Sequence, residues 1–314
     1  MKSTKISVVI PLYNKQAHIR DAICSVLEQS QAVDEIIVVD DGSTDKSVKL
    51  VEKMQQPKVK VVSQANAGVS AARNKGVAVA KNQLVAFLDA DDVWLPMFVD
   101  EMLQLHDKYP NTGFYATRYQ NRAGVGCFSD PKINLKLLFS QNYQAEGFLL
   151  QNYFEVAANG DLPFMVSGCM VNKQLFSRLG GFPIGEKIGE DQDFFAKVAL
   201  QGDIAYSPNI NLLYSVAAEN KATEAYIPEQ ECPFSKRLNQ YQQMTKLSSN
   251  LHQSISKYSA AHLCHLAKLN IKSGRYVTAK TLLNDPRCWM KPMHKILLNT
   301  WCVLSQFSQH FSAR

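Results

Sequence analysis

The chain has 314 residues, enough for one large domain or for one domain with a smaller appendage. With 46% hydrophobic and 20% charged residues it has an ordinary globular composition, which excludes global disorder. The net charge of +6 is unevenly spread. Val216 to Arg314 carries 13 Lys+Arg against 5 Asp+Glu, or +8, whereas the first 215 residues carry 21 against 23, or −2. A basic tail behind a slightly acidic front predicts that the tail meets something anionic.

No apolar run approaches the length of a membrane-spanning helix. The start, MKSTKISVVIPLYN, has two lysines but neither a long apolar region nor a small-residue cleavage site, so no signal peptide is expected. The seven cysteines are scattered, odd in number and without a CxxC pair, which fits reduced thiols in a cytosolic protein.

In chain order, Ile6 to Leu12 reads as a strand, and Ile19, Ala22, Ile23, Val26 and Leu27 follow a helical period. Glu35 to Val39 is a second strand ending on Asp40-Asp41-Gly42-Ser43. Ser43 or Thr44 is the expected N-cap of a helix that turns Val48, Val51 and Met54 inward. Val59 to Val62 is a third strand, Val69 to Ala80 a helix opened by Asn66-Ala67-Gly68, and Leu84 to Leu88 a fourth strand. The order β-α-β-α-β-α-β implies a doubly wound parallel sheet with right-handed crossovers.

A helix is expected from Pro96 to Lys108, then a strand near Thr112 to Arg118. Asn121 to Gly160 gives only mixed turns and short amphipathic pieces. Met165 to Val171 reads as a strand and Lys173 to Leu179 as a helix, which Gly180-Gly181-Phe182-Pro183 ends. Glu190-Asp191-Gln192-Asp193 leads into a helix from Phe194 to Gln201, followed by strands at Ile204 to Ser207 and Asn211 to Val216. Beyond Lys236 the pattern is helical, over Arg237 to Leu247, Gln253 to Ser273 and Val277 to Leu283. Ala267 to Leu283 looks like one helix-turn-helix unit, but no second copy makes a repeat array. The expected division is a catalytic domain over 1–215 and a basic helical region over 216–314.

The most informative stretch is LVAFLDADDVWLP, an apolar strand that ends on Asp89-Ala90-Asp91-Asp92. Side chains alternate faces along an extended backbone, so Asp89 and Asp91 are expected to point the same way. Two carboxylates at the carboxyl end of a buried strand stand where open α/β sheets bind ligands, and they suit a hard cation, Mg²⁺ or Mn²⁺, shared with substrate phosphates. A plain acidic loop after a strand is the alternative.

Five motifs then occur in one order: Pro11-Leu12-Tyr13-Asn14, Asp40-Asp41-Gly42-Ser43, Gly68 to Asn74, Asp89 to Asp92, and Glu190-Asp191. Over about residues 5 to 215 the chain resembles a family 2 glycosyltransferase of the GT-A fold, the bacterial surface-polysaccharide type. The resemblance implies a Rossmann-like, mainly parallel sheet with a C-terminal helical extension. It also implies an inverting transfer of a sugar from a nucleotide-diphospho-sugar, a UDP-sugar, to a saccharide or lipid-linked acceptor, with Mn²⁺ or Mg²⁺ as cofactor. In that likeness Asp41 receives a base N–H, Pro11, Tyr13 and Asn14 border the nucleotide, and Gly68 and Arg73 approach it. Asp91 is the metal ligand and Asp89 contacts ribose or metal. Asp191 is the general base, and Glu190 orients it or the acceptor. Asp92 and Trp94 would border the acceptor.

Each assignment has a plainer alternative. Pro11 also suits a rigid strand exit, Arg73 a solvated helix position and Trp94 a core. Glu190, Asp191 and Asp193 also suit the first turn of a helix. His262-Leu263-Cys264-His265 lies mid-helix without a further ligand cluster, so packing is expected of it. Absence of GxGxxG and GxxxxGK[ST] removes dinucleotide and P-loop readings. The rivals to transfer are a sugar nucleotidyltransferase and a nucleotide-sugar-binding protein without turnover. No nucleic-acid partner is expected.

After Asp285 no acidic residue follows, while Arg287, Lys291, Lys295 and Arg314 alternate with Trp289, Ile296, Leu297, Leu298, Trp301, Val303, Leu304 and Phe307. Such a tail suits a peripheral helix on an anionic membrane, which would put the enzyme on the cytoplasmic face of the inner membrane. Packing of the tail on the catalytic domain, in a freely cytoplasmic protein, is the alternative.

Overall fold

A computed structural model describes residues 4–124, 126–140, 143–217 and 226–312, with side chains up to Phe307. The chain divides into two compact units, Met1–Gln151 with Leu162–Asn220, and Asn152–Asp161 with Lys221–Arg314. The short segment Asn152–Asp161 therefore belongs with the C-terminal helices, although it lies inside the stretch expected to be catalytic.

The first unit is built on one mixed sheet. Its elements are β1 (Ile6–Leu12), α1 (Ile19–Leu27), β2 (Glu35–Asp40), α2 (Ser47–Lys53), β3 (Val59–Ser63), α3 (Val69–Val79), β4 (Leu84–Phe87), β5 (Val93–Trp94), α4 (Phe98–Lys108), β6 (Phe114–Gly124), β7 (Cys127–Ser129), α5 (Leu135–Leu138) and β8 (Phe148–Leu150). A short α6 (Tyr153–Ala158), part of the second unit, intervenes before β9 (Cys169–Asn172), α7 (Lys173–Leu179), α8 (Glu190–Gln201) and β10 (Ile204–Ser215). Strand order is β3-β2-β1-β4-β9-β6-β10-β5, with β7 on β6 and β8 on β10. Pairs β3/β2, β2/β1, β1/β4 and β6/β10 are parallel, whereas β9 runs antiparallel between β4 and β6. Six strands thus share one direction, the mainly parallel sheet that was expected.

Burial on both faces explains the unbroken apolar runs of β1, β2 and β4, all of whose residues are buried. The stretch Asn121 to Gly160, illegible in sequence, resolves into the end of β6, β7, α5, β8 and α6. The two expected late strands are one, β10, with irregular register around Ile210. Helix α8 begins at Glu190, four residues before its apolar periodicity starts. Neither Ser43 nor Thr44 caps α2. The Ser43 hydroxyl instead accepts the Asn14 N–H at 3.1 Å.

In the second unit follow α9 (Pro233–Met244), α10 (Ser249–Lys272), α11 (Tyr276–Leu283) and α12 (Pro292–Ser312), with α10 central. His262 is buried, its ring 4.6 Å from that of Phe234, and burial lowers its pKa to about 3. It is a packing residue, and among the described residues no group of three His, Cys, Asp or Glu is placed to hold a metal. Nor is any described helix long and apolar enough to cross a membrane.

Two local constraints open the crevice at the end of the sheet. β4 pairs with β1 only as far as Val9, and Pro11, two residues on, has no N–H with which to continue the ladder. Helix α3 crosses β1 at Gly76, where an added Cβ would lie 2.3 Å from Val9 Cγ1 and 2.8 Å from Cγ2. Gly76→Ala should therefore lower stability by about 1–3 kcal/mol. Urea unfolding should show a lower midpoint at an unchanged slope.

Candidate functional site

Where β1 and β4 part, the strand order changes direction, the place at which open α/β sheets bind ligands. The loops after β1, β2 and β4, the start of α3 and the start of α8 all end there.

The loop after β1 is strapped to the loop after β2. Asn14 takes a left-handed backbone with φ of 52°, and its Oδ1 accepts the N–H groups of Thr44 at 2.8 Å and Asp45 at 3.3 Å. The next residue, Lys15, donates its backbone N–H to Ser47 Oγ at 2.9 Å. Pro11 is buried in β1 opposite Val39, and Tyr13 is 47% exposed beyond the strand end. Asp41 is buried and fastens the entry to α3. Its carboxylate accepts from Gln64 Nε2 at 2.9 Å and from the N–H groups of Ala67 and Gly68 at 2.8 Å each. Gly68 has φ of 90° with open space where a Cβ would stand, so conformation rather than crowding calls for glycine there.

Asp89 to Asp92 form a turn, closed by the Asp92 N–H on the Asp89 carbonyl at 3.0 Å. The alternation expected of an extended strand therefore stops at β4, and each aspartate finds its own partner. Asp89 receives a two-pronged ion pair from Arg73, at 2.7 and 2.9 Å. Asp91 pairs with the Lys15 ammonium at 2.8 Å. Asp92 turns inward, fully buried, and accepts Ser167 Oγ–H at 2.6 Å and the Ser215 N–H at 2.8 Å. Burial, then the charges of Asp91 and Asp89, push the Asp92 carboxyl well above the usual range.

Arg73 is 4% exposed, so it is no solvated helix residue. It joins Asp89 to Glu190 Oε1, 3.3 Å away, and its guanidinium lies 5.2 Å from the Phe182 ring centre. Burial alone would lower its pKa, but Asp89, Glu190 and Asp191 outweigh that and raise it. At the start of α8, burial and then Asp191 lift the Glu190 carboxyl to about 7, against the pull of Arg73. Burial also raises Asp191, again against Arg73.

Asp92 and Trp94 do not border an open acceptor space. Trp94 is 2% exposed, its ring stacked 3.9 Å from Phe98 and its Nε1–H donated to the Ser167 carbonyl at 2.6 Å. Both belong to the scaffold behind the Asp89–Asp91 turn. Four participants escaped sequence reading: Lys15, Ser167, Ser215 and Arg122. The Arg122 guanidinium donates to the Asp91 carbonyl at 3.4 Å and to Ser215 Oγ at 3.1 Å. Their contacts span up to 124 residues of chain and follow no spacing, so only the fold reveals them. Asn74 closes the third motif without an assigned role. Its amide donates to the Phe182 carbonyl at 2.8 Å, and its Oδ1 accepts the Phe182 N–H at 3.0 Å, fixing the loop that leads to α8.

A GT-A sheet whose switch point gathers carboxylates, a buried arginine and a helix-initiating Glu-Asp pair defines the class. The model of the family named Glycosyl transferase family 2 matches residues 7–172, and the chain belongs to that family. The glycosyltransferase YibD of Escherichia coli (strain K12) is 43% identical over 108 residues, 33% of this chain and 31% of that one. Glycosyltransferase GlyA of Streptococcus pneumoniae is 30% identical over 207 residues, 62% of this chain and 28% of that one. The matches thus span about a third of the length of these relatives. Among solved structures, Staphylococcus aureus TarS 1-349 in complex with UDP-GlcNAc aligns over 98% of this chain and 92% of that one, with a TM-score of 0.66 at 16% identity. At that identity the likeness speaks for the fold.

Ser167 serves two aspartates, donating to Asp92 and accepting the Asp89 N–H at 3.0 Å. Ser167→Ala should cost about 1–3 kcal/mol by leaving part of a buried carboxyl unsatisfied. Thermal unfolding should register the loss even without any ligand.

Proposed function

We propose that the chain is an inverting, metal-dependent glycosyltransferase that moves a sugar from a UDP-sugar to a saccharide or lipid-linked acceptor in cell-surface polysaccharide synthesis. The observation that carries this reading is the Asp89–Arg73–Glu190 connection. It ties the carboxylates of the donor side to a second carboxyl pair whose proton affinity has been raised. A site with both halves can neutralise a departing diphosphate and take a proton from an attacking hydroxyl.

On the donor side, Pro11, Tyr13, Asn14 and Asp41 form the nucleotide border and Gly68 the closest backbone approach. Asp91 offers hard oxygens at the crevice, with Asp89 beside it. Mg²⁺ and Mn²⁺ are commonly held by one or two carboxylates and complete their shells with substrate phosphate and water, so this donor set fits either ion. When bound, such an ion supplies Lewis-acid neutralisation of the leaving diphosphate. Arg73 holds Asp89 in place with two hydrogen bonds.

On the acceptor side, inversion needs one base to accept the hydroxyl proton as the oxygen attacks the anomeric carbon. Asp191 fills that role, with Glu190, held by Arg73, beside it to orient the base or the acceptor. Raised pKa values suit both, because a carboxylate with a higher pKa is a stronger base when ionised. The reaction belongs on the cytoplasmic side, where the free thiols stay reduced and a lipid-linked acceptor can be met at the membrane face.

Asp91→Ala should abolish transfer together with the metal dependence of UDP binding, both read by calorimetry and product assay. Near-normal turnover of this variant in chelator-treated buffer would overturn the metal assignment.

Asp191→Asn keeps the shape and removes the proton acceptor, so kcat should fall by roughly a hundredfold or more with UDP affinity little changed. In the parent enzyme, kcat/KM should rise with pH, because the base works only when ionised. Burial raises its pKa, so that ascending limb should lie above the ordinary aspartate range and vanish in the variant. Lost UDP affinity at unchanged turnover would instead place Asp191 with the nucleotide.

A further inference from the structure

Helix α12 is amphipathic in the reverse sense to most surface helices. The side turned toward the rest of its unit is thin and largely polar. Cys302 is fully buried with its thiol 3.7 Å from the Tyr276 carbonyl, Lys280 Nζ donates to Gln306 at 2.9 Å, and the Tyr276 hydroxyl donates to the Ser305 carbonyl at 3.3 Å. Lys295 is also on that side, buried, its ammonium 4.5 Å from the Trp289 ring centre. The outward side is apolar. Met293, Ile296, Leu297, Val303, Leu304 and Phe307 are all exposed, Leu297 by 63% and Leu304 by 62%, with Trp289 and Trp301 alongside. At 1.5 Å per residue this stripe runs for about 20 Å. An apolar patch of such length marks a contact surface.

Charge selects the occupant. Asn152–Asp161 with Lys221–Arg314 hold 13 Lys+Arg against 6 Asp+Glu, or +7. Three of those acids are engaged internally: Glu229 with Arg275 at 3.1 Å, and Glu231 and Asp285 with Arg287 at 2.6 and 2.8 Å. No acidic residue follows Asp285 in the chain. Just before the stripe the Lys291 ammonium is itself engaged, donating to the Ala158 carbonyl, so the attraction rests on the net positive charge of the unit as a whole. A second copy would bring two units of +7 together, which repulsion disfavours. An anionic bilayer meets both features at once, taking the apolar stripe into its interface and the lysines at its headgroups.

We propose that the outward face of α12 lies in the plane of an anionic lipid bilayer, drawn there by the net positive charge of its unit. The tryptophans then sit at the depth where indole rings are favoured. With no described helix long enough to span, the contact is peripheral.

The test is co-sedimentation of the full chain with phosphatidylcholine vesicles, with and without about one-third phosphatidylglycerol. Binding should require the anionic lipid and weaken as salt is raised. Leu297→Glu with Leu304→Glu, both outward positions, should reduce it by roughly tenfold or more at an unchanged melting temperature. Lys268→Gln with Lys272→Gln, both exposed positions of the same unit, should weaken it and flatten its salt dependence. Equal binding by the Leu297→Glu, Leu304→Glu variant, or no binding by the parent chain, overturns the proposal. A stable dimer that this variant dissolves, without vesicle binding, assigns the face to a second copy and overturns it too. Vesicle binding is measured without donor or acceptor, so its failure leaves the transfer reading untouched.

Discussion

The buried guanidinium of Arg73 is the interaction on which the rest of the site depends. Five carboxyl groups, from Asp89, Asp91, Asp92, Glu190 and Asp191, converge from the end of β4 and the start of α8. Brought together without cations they would repel one another and resist desolvation. Arg73 counters this by holding Asp89 with two hydrogen bonds and Glu190 with a third contact, while the Phe182 ring covers its flank. Its planar fork suits two carboxylates in different directions, which a lysine cannot match. Breaking such a buried pair by removing one partner typically costs about 3–5 kcal/mol, because the stranded charges remain.

Behind this ion pair lies a neutral framework that sets where the aspartates point. Ser167 connects Asp92, the Asp89 N–H and, through its carbonyl, the Trp94 indole. The Ser215 hydroxyl donates to the Asp91 carbonyl, its N–H donates to Asp92, and Arg122 binds both Asp91 and Ser215. These contacts gather β4, β6 and β10 around a four-residue turn. The turn can then hold Asp91 toward the crevice while burying its neighbour Asp92.

Much of this was legible in the sequence, for reasons particular to each element. β1, β2 and β4 are buried on both faces, so their apolar runs are unbroken, and α3 and α7 are marked by their glycines. The order of the five motifs carried the family. What escaped notice was non-local. The Lys15–Asp91 pair joins positions 76 apart, and no residue type at position 15 announces a partner. Trp94 followed an acidic motif like a ligand-facing residue, yet packing against Phe98 drew it inward. β9 carries no mark of its antiparallel placement, since a strand buried in mixed company reads like a parallel one. The beginning of α8 was hidden because its first turn is acidic rather than apolar. The Asn152–Asp161 segment reads as an ordinary loop, and only its packing against α10 moves it to the helical unit.

Charge balance at the switch point bears on the metal question independently of motif. Arg73, Lys15 and Arg122 face five carboxyl groups, and each of these cations is already engaged by an aspartate or by the turn that bears it. Burial raises the proton affinity of Asp92, Glu190 and Asp191, so holding the whole cluster ionised is costly. A nucleotide diphosphate entering the crevice adds further negative charge at short range, where low dielectric makes repulsion costly. Arg73 and Lys15 can meet that charge only by releasing their carboxylates, which returns the repulsion to the acidic cluster. A divalent cation held by Asp91 would supply the missing positive charge without breaking those pairs. That electrostatic demand, more than the spacing of the aspartates, is the physical reason to expect a metal where Asp91 faces the crevice.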